Sequence, residues 1–228
     1  MSASPQYSPD GRWYWDGQRW QPVVAPGPAW SRPYGPPQDR AAAVIALVIA
    51  ALAGSAVLAA IDVLVVVAVP PNDTVRLEVA TLQVVASVGW VTGLIGAVVA
   101  SAMWMHRAFR NLPALGATNL RWSPAWAAGG WFIPVANLVI PYLVARELWR
   151  ATNPPEPRIL LEAWWAAWVL SLLLFVANFV ISQFNLIAAL VLDVPYRALV
   201  LVAGLLLIAI VRAVTSRQRA RHAELVAG

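Results

Sequence analysis

Few side chains in this 228-residue sequence could do chemistry, and their types exclude several kinds of it. There is no cysteine, which removes disulfides, thiol nucleophiles and thiolate metal sites. The only two histidines, His106 and His222, lie in different segments, so neither a metal centre nor any cofactor is expected. General acid–base and nucleophilic catalysis require a convergent pair or triad. The acids nearest to such a role are Asp62, isolated in an apolar run, and Glu147, set among basic residues. The chain is therefore expected not to be an enzyme. What remains is polar chemistry in or beside a bilayer. Asp62 is an intramembrane acid, and ionisable groups inside spans are functional candidates by default. The run around it is longer than a bilayer needs, which favours an interfacial position. Asn137, placed between Pro134 and Pro141 and followed by Tyr142, could present its amide at a broken helix. Arg107, Arg110, Asn111, Arg146, Glu147 and Arg150 form a charged motif around that break. With Arg121, its arginines either hold a lipid phosphate or simply set orientation.

The elements that must position these groups are membrane-spanning. The sequence is 60% hydrophobic and 12% charged, far from a soluble domain. All sixteen basic residues are arginine, and the net charge of +5 comes mostly from arginines flanking apolar runs. An anionic membrane surface accounts for that placement better than nucleic acid does. Spans are expected at about 41–69, 79–105, 159–182 and 194–213, each at least the roughly 20 residues a bilayer core requires. No cleavable signal sequence is visible, so the first span is expected to be an uncleaved anchor.

Between the second and third of these spans lies Arg121–Arg150, apolar but carrying Pro124, Pro134, Pro141, Gly129, Gly130 and Asn137. An interior proline removes a donor and clashes with the preceding turn. Non-helical backbone at membrane depth must be covered by protein or line a wet cavity. A re-entrant or kinked element over about 124–150 follows, broken between Pro134 and Pro141, with Asn137 satisfying carbonyls that Pro141 releases. Arg146 could pin it to an acid of another loop, and Glu147 and Arg150 could pair along the helix. Counting arginines chooses between crossing and re-entry. If the element crosses, the sixteen arginines divide evenly. If it returns, only Arg76 and Arg197 lie outside, and positive charge near span ends is retained on the cytoplasmic side. The expectation is four crossings in a cell membrane, with both termini cytoplasmic.

Within the spans, Gly89, Gly93 and Gly96 share one face and permit close helix approach. Internal packing is the favoured use of that face, and a homo-oligomer the other. Trp164, Trp165 and Trp168 suit an interfacial aromatic belt. Residues 186–192 read as a separate short apolar piece. Asp193 then caps the last helix, Pro195 occupies its first turn and Arg197 snorkels.

Ahead of the spans, 1–22 reads as a tryptophan-rich hairpin module and 23–40 as a proline/glycine linker on a disordered tail. The remainder is a transmembrane domain over 41–219 and a C-terminal tail over 220–228. Asp16-Gly17 signals a two-residue turn, which would set Trp15 opposite Gln18, Tyr14 opposite Arg19 and Trp13 opposite Trp20. Trp13, Trp15 and Trp20 would then form one aromatic face. The stretch WYWDGQRW resembles tryptophan-rich segments at the ends of many actinobacterial membrane proteins, and more loosely a WW domain, from which it departs by lacking a third strand.

The stretch from Trp104 to Thr152 carries a second resemblance. Trp104, Arg107, Arg110 and Asn111, then Ser123-Pro124, then Trp131, Phe132, Pro134, Asn137, Leu138, Pro141 and Tyr142, and finally Arg146, Glu147, Trp149 and Arg150, resemble the core of an uncharacterised bacterial membrane family, domain of unknown function 4328. The resemblance covers roughly Arg40 to Arg219. It implies an all-α multi-pass membrane protein with no assigned activity and no catalytic residues. The expected function is a non-catalytic membrane adaptor or structural protein, with the N-terminal tryptophan- and proline-rich tail recruiting a cytoplasmic protein partner to the lipid bilayer. The alternative is a small transporter or channel built on the broken helix around Asn137, with Asp62 and Asn178 as polar neighbours.

Overall fold

The computed structural model describes residues 6–9, 13–15, 17–22, 33–68 and 73–227. Four long helices dominate: α1 (Gln38–Ala68), α2 (Asp73–Arg110), α5 (Ile159–Ser182) and α6 (Leu186–Ala227). The shortest, α5, has 24 residues, about 36 Å at 1.5 Å per residue, enough to exceed a hydrocarbon core of about 30 Å. All four are long and apolar enough to cross a membrane. In the most apolar windows of α2 and α5 only 17% and 22% of residues are buried. Such helices hide little of their apolar surface against protein, so lipid must cover the rest.

Helix direction follows from contacts between distant residues. Arg40, at the start of α1, donates to the carbonyl of Met103 near the end of α2 (3.1 Å), and Trp104 Nε1 donates to Thr215 Oγ1 on α6 (3.0 Å). At the other end, Gln83 of α2 and Arg197 of α6 both reach Asp62 of α1 (each 2.7 Å). The beginning of α1, the end of α2 and the later part of α6 therefore share one end. That end also holds most of the arginines, whereas Arg197 lies at the far end.

Glycines set how close the helices come. A Cβ on Gly93 would meet Ala51 at 3.8 Å, and one on Gly96 would meet Leu47 at 3.4 Å, so this face packs on α1 inside the molecule. Gly89, one turn away, has nothing within 4 Å. Gly204 brings α6 against Leu52 of α1, where an added Cβ would come within 3.0 Å.

The last helix departs from expectation. Residues 186–192 are not a separate piece: α6 runs on through them, with Pro195 in its interior and its end at Ala227. Asp193 is not an N-cap. It accepts from Arg197 one turn on, a favourable helical spacing for opposite charges. Lipid-facing helices tolerate an interior proline when neighbours satisfy the freed groups.

The N-terminal module has three strands rather than two: β1 (Gln6–Tyr7), β2 (Trp13–Trp15) and β3 (Trp20–Pro22), antiparallel in that order. Its register also differs from the two-residue turn expected. Trp15 lies opposite Trp20, Tyr14 opposite Gln21 and Trp13 opposite Pro22. The connection is therefore 16–19, with Gly17 at φ 97° and Asp16 outside the described residues. This longer loop brings the indoles of Trp15 and Trp20 edge to face, 5.7 Å between centroids, an arrangement their quadrupoles favour. Alternation still leaves Trp13, Trp15 and Trp20 on one face. Most of the linker read at 23–40 also lies outside the described residues, which resume at Pro33.

Candidate functional site

Between α2 and α5 the chain makes a broken excursion. Its pieces are α3 (Pro124–Gly129), a 3-10 turn (Ala136–Leu138) and α4 (Ile140–Thr152). The 13 residues of α4 extend about 20 Å, too short to cross. Both ends of the excursion meet. The buried carboxylate of Glu147 accepts from the backbone amides of Arg121 (2.8 Å) and Trp122 (2.9 Å), and lies 3.6 Å from the Arg150 guanidinium. The segment thus leaves and returns at one mouth. The pin is Glu147 on backbone amides, not the expected Arg146 on an acid. Arg146 instead stands over the Tyr142 ring at 5.9 Å. The expected Glu147–Arg150 pair is present.

The break lies between Gly130 and Val139. Gly130 sits where α3 approaches the start of α4, and a Cβ there would meet Ile140 Cγ2 at 2.6 Å. Val135 has φ 64° and ψ −48°, and the amide of Ala136 bonds the carbonyl of Pro134 at 2.7 Å. That is a three-residue γ-turn of the strained, positive-φ kind. Pro141 lies in the first turn of α4, where its missing N–H would be unpaired anyway, so it frees no interior carbonyls for Asn137 to satisfy. Instead Asn137 Oδ1 is buried with no hydrogen-bond partner among the described residues. Around it the tip is apolar and exposed: Phe132, Ile133, Val135, Leu138 and Val139 all lie open, Val135 by 80%.

The excursion is held by aromatic packing. Trp131 meets Trp164 at 6.2 Å and Trp168 at 6.3 Å, while Tyr142 stacks on Trp165 at 5.9 Å. Trp164 is only 2% exposed. The tryptophans read as an interfacial belt also form the wall against which the broken element docks.

Beneath the mouth is a buried polar lock. Asn111 donates to the carbonyl of Gly35 (2.9 Å) and accepts from the amide of Gly35 (3.1 Å). It also donates to Gln218 Oε1 (3.2 Å), while Gln218 Nε2 donates to the carbonyl of Ala108 (2.8 Å). Both side chains are almost wholly buried, at 1% and 0% exposure, so the bonds from Asn111 to Gln218 and from Gln218 to Ala108 form away from competing water. Arg107 lies against Gly35, where an added Cβ would have to displace its guanidinium. Tyr34 stacks on His222 at 4.0 Å. Burial pushes the Tyr34 hydroxyl above its ordinary pKa, and nearby Arg219 opposes part of that shift. Together these contacts clamp 33–37 to α2 and α6.

At the far end the candidate acid has partners that sequence reasoning missed. Asp62 pairs with Arg197 (2.7 Å) and accepts from Gln83 (2.7 Å); Arg197 also bonds Asp193 and the carbonyl of Ser55 (2.8 Å). Asp62 is 19% exposed and faces the neighbouring helices α2 and α6. Asp62 and Asn178 line one cavity of about 280 Å3, but Asn137 is not among its walls. The expected trio of Asn137, Asp62 and Asn178 is thus split. The i,i+4 spacing of Asp193 and Arg197 was the readable sign of this cluster.

A family model described as a domain of unknown function (DUF4328) matches residues 72–216. No curated protein and no solved structure matches the chain.

Proposed function

The chain belongs to the DUF4328 family, and for this multi-pass membrane protein we propose the role of a non-catalytic membrane adaptor. The observation that carries this reading is the open aromatic face of the N-terminal sheet. Trp13, Trp15 and Trp20 are 45%, 37% and 48% exposed on a single side. Tryptophan is enriched at binding hot spots because a rigid ring buries much area at small entropic cost. The clamp on 33–37 supports the reading further, since it fixes where the tail leaves the bundle. We infer that the arginine-rich end is cytoplasmic, by the charge bias of span-flanking segments, so the aromatic face meets cytoplasmic partners.

Deleting residues 1–32 leaves the clamped segment in place and tests the role. Tagged full-length protein, extracted from membranes, is expected to carry a specific partner that the truncated protein loses while inserting equally well. Identical co-purifying proteins in both would remove the support. The transporter reading keeps one observation of its own, the buried carbonyl of Asn137, without a partner among the described residues and set in a broken helix, a feature common to substrate sites in transporters. Solute flux into liposomes that Asn137→Ala abolishes would favour it; absence of flux in both forms would set it aside.

A further inference from the structure

A cavity of about 630 Å3 opens beside the mouth of the excursion, between the end of α4 and the loop before α5. Arg121, Arg146, Arg150 and Arg158 line it, with Glu147 and Glu156. Two of these charges are already matched. Arg158 pairs with Glu162 at 2.9 Å, and Glu147 holds the two backbone amides of the mouth. Arg121 and Arg146 have no carboxylate partner among the described residues. Arg150, 77% exposed, has among the described residues only its 3.6 Å contact with Glu147. One acceptor in the same cavity is also unmatched: Glu156 Oε2 is buried without a hydrogen-bond partner among the described residues.

An occupant must therefore offer both a multivalent anion and a donor-bearing cation. Guanidinium groups suit phosphate because their planar forks meet two oxygens at once. A buried carboxylate oxygen suits an ammonium that can donate to it. A bare phosphate would satisfy the first requirement and be repelled by Glu156. The depth points the same way. The cavity reaches the start of α5, at Ile159, and the Tyr142 ring, stacked on Trp165, lies under Arg146 one turn along α4. Charged side chains directly outside an aromatic-flanked span stand at the level of lipid headgroups. The volume falls within the roughly 300–1,000 Å3 of small-ligand sites.

We propose that this cleft binds the headgroup of an amine-bearing phospholipid, with Arg121, Arg146 and Arg150 taking the phosphate and Glu156 the ammonium. The assignment is independent of the adaptor role. Native mass spectrometry of the full-length protein, delipidated in detergent, reads it directly. The protein is offered equal amounts of phosphatidylethanolamine, phosphatidylglycerol and phosphatidylcholine with identical acyl chains. Wild type is expected to retain the ethanolamine lipid most. Joint Arg146→Ala and Arg150→Ala, both at exposed positions, should weaken that retention by about tenfold or more, since charge-assisted bonds to phosphate are lost. Glu156→Gln should keep phosphate binding and erase the preference for ethanolamine over glycerol. Equal retention of the three lipids by wild type overturns the proposal, as does a glycerol preference that Glu156→Gln leaves unchanged. Saturable binding of inorganic phosphate in lipid-free micelles, with no headgroup preference among the lipids, assigns the cleft to a soluble anion and overturns it too.

Discussion

Asn111 uses both ends of its amide on one residue, Gly35, and still reaches Gln218. Removing it leaves the amide and carbonyl of half-buried Gly35 and the buried Gln218 Oε1 without this partner, and each unsatisfied group is costly. Asn111→Ala is expected to lower stability by about 3 kcal/mol, read as an earlier thermal unfolding in detergent micelles. Glu147 behaves similarly. Glu147→Gln replaces one acceptor oxygen with a donor facing a backbone N–H, so one amide of the mouth loses its bond. Spin labels at Thr118 and Pro155 should then show a broader distance distribution than in wild type; an unchanged distribution would mean that Glu147 does not hold the mouth. At the far end, Arg197→Met leaves Asp62 and Asp193 unpaired at about one-fifth exposure. The expected cost is about 3 kcal/mol, largely recovered when Asp62→Asn and Asp193→Asn are added, because much of the loss is the penalty of an uncompensated buried charge. A triple variant as unstable as the single one would contradict this.

These partnerships differ in how far they could be read in advance. Asn111, Arg107 and Glu147 stood out by type, but nothing local marks Gly35 or Gln218 as the other half of the lock. Those pairs span 76 and 107 positions in sequence, and only the packing of helices brings them together. Asp193 is the reverse case. Its position before Pro195 fits a helix start, yet the apolar residues ahead of it continue the helix, because an amide in lipid has no alternative to intrahelical bonding.

The broken excursion is the element on which position and function both turn. Its prolines, its glycine pair and its approximate limits were legible, since each residue restricts the backbone locally. The γ-turn at Val135 was not, because no local preference favours a β-branched residue at positive φ. Such strain, about 1–3 kcal/mol, persists only when the surroundings enforce it. Val135 is 80% exposed, so its side chain packs against little protein. Val135→Gly should therefore raise the unfolding temperature, corresponding to about 1 kcal/mol of relieved strain; a fall would show that the side chain anchors the tip instead. The same tip should lie in hydrocarbon. A nitroxide at Val135 is expected to be accessible to oxygen and shielded from a water-soluble relaxation agent, and the opposite accessibility would place the tip in water.

On the scale of the whole molecule, two antiparallel helical hairpins meet through α1 and α6, and the excursion plugs into their arginine-rich end. Most large buried side chains gather there, including Trp104, Phe109, Leu112, Leu148 and Trp164. The number of long helices follows from apolar length and was readable directly. Return rather than crossing rests on arginine bias alone in the sequence; the bonds from Glu147 to the amides of Arg121 and Trp122 add a physical closure that no local pattern announces. Because the native chain has no cysteine, single cysteines can report sidedness without background. Thr118, Pro155, Gln183 and Ala223 are exposed positions before the excursion, after it, at the far end and near the C-terminus. A membrane-impermeant thiol reagent applied to intact cells is expected to label a cysteine at 183, and to label 118, 155 and 223 only after the membrane is opened. If 118 and 155 respond differently from each other, the segment between them crosses the bilayer, and re-entry through a single mouth is contradicted.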